Sequence, residues 1–153
     1  MSVKLNPYIN FSTDTRAAME FYKSVFGGTL NLTTFKEGGM SSGPADENLV
    51  MHSQLESGPI TLMASDTPPG MELKPGTNVS ISLSGDDEKT LRGYWEKLSP
   101  DGTVMMPLEK APWGDTFGMC TDRFGIQWLV NISGCNVHAV RHAATAVRHA
   151  STR

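Results

Sequence analysis

Val3, Leu5, Ile9 and Phe11 fall at strand spacing, so residues 3–11 are expected to be extended. The period then lengthens. Ala17, Ala18, Met19, Phe21, Tyr22, Val25 and Phe26 recur as on one side of a helix, with Thr13 or Asp14 placed to cap it and Gly27-Gly28 to stop it. Residues 29–35 read as a second strand, and the glycine-rich stretch 37–47 as a loop. Residues 49–55 and 60–64 predict a hairpin around Ser57-Gly58-Pro59. A linker follows at 66–75, with Pro68, Pro69, Gly70, Pro75 and Gly76 around it. The order then returns: a strand at 78–83, a helix at 87–98, and strands at 103–106, 116–121 and 126–132. The chain thus reads β-α-β-β-β twice, which makes it α+β.

The alternation also assigns faces. Along 78–83, Val79, Ile81 and Leu83 share one side, and Asn78, Ser80 and Ser82 the other. Along 49–55, Leu49, Met51, Ser53 and Leu55 oppose Val50, His52 and Gln54. One side suits packing under a helix. The other is short and polar, without the long charged side chains of a plain solvent face, as the lining of a cleft would be.

Composition narrows the class. With 39% hydrophobic and 19% charged residues, the 153-residue chain should form a packed domain rather than a disordered one. A net charge of −3 and the absence of a long basic run argue against nucleic acid as a partner. No apolar run approaches the roughly 20 residues of a membrane span, and the start Met1-Ser2-Val3-Lys4 lacks a signal-peptide core, so no membrane and a cytoplasmic location are expected. Cys120 and Cys135 do not make a disulfide framework; Cys120, among strand residues, is expected to be a buried thiol.

Residues 112–131 are the most specific stretch. Their pattern WGDxFGxxxDxFGxxW resembles the closing hairpin of the vicinal-oxygen-chelate (glyoxalase/bleomycin resistance/dioxygenase) superfamily, in its PhnB-like, 3-demethylubiquinone methyltransferase-like branch. Pro7-Tyr8-Ile9-Asn10-Phe11, Ala18-Met19-Glu20-Phe21-Tyr22 with Phe26-Gly27-Gly28, and Met51-His52 followed by Met63-Ala64-Ser65-Asp66 extend the resemblance over about residues 3–133. It implies two βαβββ modules, about 1–66 and 77–133, within a glyoxalase-like domain 1–134. A curved mixed sheet would surround a cleft, with helices on its outer face. It also implies a homodimer.

Members of that superfamily that are enzymes hold a divalent ion with His, Gln or Glu on the concave strands. Matched by alternation, those positions fall here on Asn6, on Thr61 or Met63, on Asn78 and on Leu129. Neutral amides hold such ions poorly, so no family metal and no other cofactor is expected. A labile ion gathered by Asn6, Asn78 and His52 is a weaker alternative. His52 is the one histidine before the tail, and it can act as a base, as a hydrogen-bond donor or as a tie between strands. Asp115 can be a base, a polar anchor or a turn-former. Trp113 can line the cleft, whereas Trp128 shares a face with Ile126 and Val130 and belongs to the core. Segments 38–48 and 66–76 can be lids or plain connectors. There is no nucleotide-binding glycine turn to hold a methyl donor.

Residues 135–153 differ in composition, with three arginines, no acidic residue, and His138, His142 and His149. Ala139-Val140-Arg141-His142-Ala143 recurs as Ala146-Val147-Arg148-His149-Ala150. They are expected to be a basic extension, helical or disordered; on a helix His138 and His142 would share a face. The sequence thus points to a metal-free protein that binds a small organic molecule through His52, Gln54, Met63, Asn78, Trp113 and Asp115. The alternative is a metal-independent lyase or isomerase on a small carbonyl substrate, with His52 or Asp115 as base. A metal-dependent glyoxalase-type enzyme is less favoured.

Overall fold

The computed structural model describes residues 2–134. The expectations for Cys135 and for the histidine- and arginine-bearing tail therefore lie outside the described residues. The chain divides into two compact units, Met1–Asn78 and a second that begins at Val79. Each holds one four-stranded mixed sheet and one helix, as the α+β reading expects. Among the described residues no helix is long and apolar enough to cross a membrane.

The first unit runs β1 (Tyr8–Phe11), α1 (Thr15–Phe26), β2 (Thr29–Thr34), β3 (Val50–Ser57) and β4 (Ile60–Asp66), in sheet order β1-β4-β3-β2. β1 lies parallel to β4, and the other pairs are antiparallel. The expected first strand is shortened. Pro7 has no N–H to give the ladder, which begins one residue later at Tyr8↔Met63. Val3 and Leu5, upstream, are fully exposed.

Helix α1 packs on β2, β3 and β4, burying its Ala18, Met19, Tyr22, Val25 and Phe26 on the sheet that carries the buried Val50, Leu55, Leu62 and Ala64. Each large side chain so covered stabilises the fold by about 1.5–3 kcal/mol. Val50 departs from the simple alternation. The register shifts between Thr33 and Thr34, leaving Met51 as the extra residue of β3, and Val50 is carried to the buried side rather than the His52 side.

The second unit runs β5 (Ile81–Gly85), α2 (Glu88–Leu98), β6 (Thr103–Lys110), β7 (Thr116–Thr121) and β8 (Gln127–Ile132), in sheet order β5-β8-β7-β6. Its first strand also starts late. Parallel pairing with β8 opens at Ile81↔Trp128, and β8 itself begins just after the turn at Asp122–Gly125, so Asn78 and Val79 precede the ladder. β6 extends past its expected end at Met106 and through Pro107, which an edge strand tolerates. Leu91, Val130 and Ile132 form the core with Leu83, Tyr94, Trp95 and Leu108 against it. Trp128 and Cys120 are fully buried, as expected.

Candidate functional site

α1 covers one side of the first sheet and leaves the other open. Cross-strand partners point the same way, so Tyr8, Met63, Gln54 and Asn31 form one row across four strands of that open face. Asn10 and Ser65 pair in the next row, and Thr33 and His52 on the other pair of strands. Three predicted ligand residues, His52, Gln54 and Met63, therefore share this face. Tyr8 comes within 3.3 Å of His52, hydroxyl to Nδ1, with ring centroids 5.8 Å apart. The contact fixes the imidazole's direction and leaves Nε2 available to a ligand. Gln54 donates to Glu56. The Ser65 hydroxyl donates to the Asn10 side-chain oxygen at 3.2 Å.

A cavity of about 390 Å3 opens at the Asn10–Ser65 end of the face, with Met71 and Leu73 of the 66–76 segment among its lining residues. The 38–48 segment is tied internally. Asp46 is buried and accepts from the Ser41 and Ser42 hydroxyls, both at 2.7 Å, and from the Ser42 N–H. These bonds lower its pKa to about 2, the Ser42 hydroxyl contributing most.

The remaining predicted residues are placed differently. Asn78 is exposed and outside any strand. In the second unit, Trp113 is 63% exposed and meets Phe117 edge-on at 5.9 Å. Both oxygens of Asp115 are engaged. Oδ1 accepts from the Gly134 N–H at 2.9 Å and Oδ2 from Asn131 Nδ2 at 3.1 Å. These bonds, the Gly134 N–H first, lower its pKa, which suits an anchor between the start of β7 and the exit of β8 better than a proton acceptor.

The positions of the superfamily's ion offer a poor donor set. Asn6 and Asn78 supply amide oxygens. Thr61 and Met63 lie on β4 with a hydroxyl and a thioether. Leu129, between Ser82 and Met119 on β8, supplies no donor. Among the described residues no three His, Cys, Asp or Glu side chains gather in one place. These residues do not fit a resident divalent ion.

Sequence reasoning passed over Tyr8, Asn10 and Ser65. The signal was present, because Ile9 and Phe11 in phase on the core side put Tyr8 and Asn10 on the other. It also placed Asp122 in the tight turn Asp122-Arg123-Phe124-Gly125 of the closing hairpin but gave its carboxylate no partner. That carboxylate is buried and accepts from the Phe124 N–H at 2.8 Å, the Ile126 N–H at 3.1 Å and Trp128 Nε1 at 2.8 Å. Gly125 supplies the left-handed backbone the turn requires, at φ 85°. The DxFGxxW part of the motif is thus a folding device that fastens the buried tryptophan to its own turn.

Paired βαβββ units with helix-free sheet faces define a glyoxalase-type fold, and the sequence agrees with it. The chain belongs to the Glyoxalase/Bleomycin resistance protein/Dioxygenase superfamily, whose model matches residues 4–130. It is similar to protein YjdN of Escherichia coli, 22% identical over 84% of this chain and 94% of that one. The structure resembles protein PA1353 from Pseudomonas aeruginosa at 37% identity and a TM-score of 0.76, covering 87% of this chain and 99% of that one. A putative 3-demethylubiquinone-9 3-methyltransferase, PhnB protein, from Bacillus cereus shares the fold at 23% identity and a TM-score of 0.69, covering 86% and 100%.

Proposed function

We propose that this chain is a PhnB-like small-molecule-binding protein that holds its ligand on the open face of the first sheet without the superfamily's divalent ion. The observation that carries the reading is the row Tyr8, Met63, Gln54 and Asn31 with His52 beside it. It is a row of neutral hydrogen-bonding groups around one thioether and two rings, with the Glu56 carboxylate bonded to Gln54 at its edge. Such a face can orient an organic molecule by hydrogen bonds while burying its apolar part. Trp113 and Asp115 belong to the second unit and Asn78 lies outside any strand, so the proposal rests on the first-unit residues alone. A cytoplasmic homodimer is the proposed state, supported by the superfamily resemblance and by half-exposed Val104, Met105 and Met106 on edge strand β6.

The test is a fragment screen by NMR with chelator present throughout. Hits should shift His52 and Gln54 resonances, and His52→Ala should weaken them about tenfold, the worth of one hydrogen bond of about 1.4 kcal/mol. Hits that vanish in chelator, or that leave both residues unmoved, would overturn the reading.

A second reading is favoured by the Tyr8–His52 contact. An imidazole held at Nδ1 could take a proton from carbon next to a carbonyl through Nε2, in a metal-independent isomerase or lyase. Turnover that survives chelator and is lost in His52→Gln would support it.

A further inference from the structure

The cavity of about 390 Å3 at the end of the open face has a composition that restricts what can fill it. Its volume falls within the range of pockets for small organic ligands. Phe35, Met51, Met71 and Leu73 supply apolar and polarizable walls. Asn10 and Ser65 supply the polar edge. Ser65 already donates to the Asn10 oxygen, which orients that amide and leaves its N–H2 group to donate outward. The charged groups are acidic. Asp66 is buried and committed to the Thr15 and Val50 N–H groups at 3.0 and 2.8 Å, and Glu72 also lines the cavity. No lysine or arginine is among the lining residues, and none of the described residues on the four strands' open face is one. Lys74, next to the lining residue Leu73, is already paired with Glu72 at 3.6 Å, so an anion entering the cavity meets two carboxylates and no uncommitted countercharge among the lining.

We propose that this cavity receives a neutral aromatic ring carrying a hydrogen-bond acceptor, and that it discriminates against phosphate, phosphonate and carboxylate versions of the same ring. The ring lies between the two methionines and Phe35, and its acceptor oxygen meets the Asn10 amide. This rests on the small-molecule reading above and adds to it the ligand's place and charge.

The experiment compares 2-naphthol with 2-naphthyl phosphate on the full chain, at neutral pH, by NMR of the methionine methyls and the asparagine side-chain amides. 2-Naphthol should shift Met51, Met71 and Asn10 along a saturating curve, and 2-naphthyl phosphate should bind at least about tenfold more weakly. Met71→Lys, at an exposed position and so harmless to the fold, should narrow that preference. Asn10→Leu should weaken 2-naphthol while leaving the fold's amide spectrum intact. Equal or tighter binding of the phosphate would overturn the charge assignment. Shifts at His52 and Gln54 without shifts at Met51 and Met71 would overturn the cavity and leave the proposed function standing. No shift at either set with 2-naphthol overturns the cavity, and only failure of the wider fragment screen would overturn the function as well.

Discussion

Asp122 shows how one side chain can carry a motif. Its carboxylate satisfies two backbone N–H groups and the Trp128 indole in a buried place, so removing it leaves buried donors without their acceptor. Asp122→Ala should destabilise the fold by about 2–4 kcal/mol in urea unfolding, and Asp122→Asn by less, because the amide keeps one acceptor oxygen. A loss under about 0.5 kcal/mol would mean the turn holds without the clamp. Asp46 makes a pH-dependent counterpart. Its folded pKa, about 2, lies below the ordinary carboxylate value. Its stabilising effect is therefore complete above about pH 4 and is lost as pH falls towards 2. The protection of the Ser42 amide, its exchange rate relative to the intrinsic rate at each pH, should fall through that window, and Asp46→Asn should abolish that fall. Asp115 illustrates the limit of reading a carboxylate from sequence. The letters permit a base or an anchor, and only the approach of Asn131 and Gly134 decides which geometry it has.

At the scale of elements, local pattern and tertiary partner contribute separately. Helix α2 was legible because its cap is local: Asp87 accepts from the Thr90 N–H at 3.1 Å and from its hydroxyl at 2.8 Å. Helix α1 was legible in extent but not in its cap. Asp14 occupies the cap position without a side-chain bond, and Asp66, from β4, takes the Thr15 N–H instead. Strand starts failed in the same way. Alternation continues through Val3 and Val79, but a strand also needs a neighbour's ladder, and that begins at Tyr8 and Ile81. The face of Val50 was misread because a bulge leaves no mark in an alternating run. Packing of α2 on its sheet rests on a missing side chain: a Cβ at Gly118 would stand 2.9 Å from both the Trp95 ring and the Leu108 Cα. Gly118→Ala should cost about 1–3 kcal/mol in thermal unfolding, and Trp95→Leu should relieve the ring's part of that penalty in the double variant, the contact with the Leu108 backbone remaining. Additive effects of the two changes would contradict the contact.

For the molecule as a whole, the twofold βαβββ order was readable because each element keeps its own period, and superfamily membership follows from residues spread along most of the chain. The candidate site was readable in part. His52 and Gln54 share a face by alternation, and the β3–β4 register, Gln54 opposite Met63, brings Met63 to it. Tyr8 beside His52 depends on β1 lying parallel to β4, which no local pattern announces. The fold does not by itself decide the chemistry, because the same architecture accommodates different sites. The proposal of a metal-free site rests on the donor set at Asn6, Thr61 or Met63, Asn78 and Leu129. The most direct measurement is calorimetric titration of the chelator-stripped full chain with zinc, nickel, manganese and ferrous ions, with His138, His142 and His149 replaced by alanine so that tail histidines cannot bind. The account predicts no saturable heat for any of the four ions. One ion bound per chain at micromolar affinity or tighter would contradict it and place a metal at the centre of the protein's function.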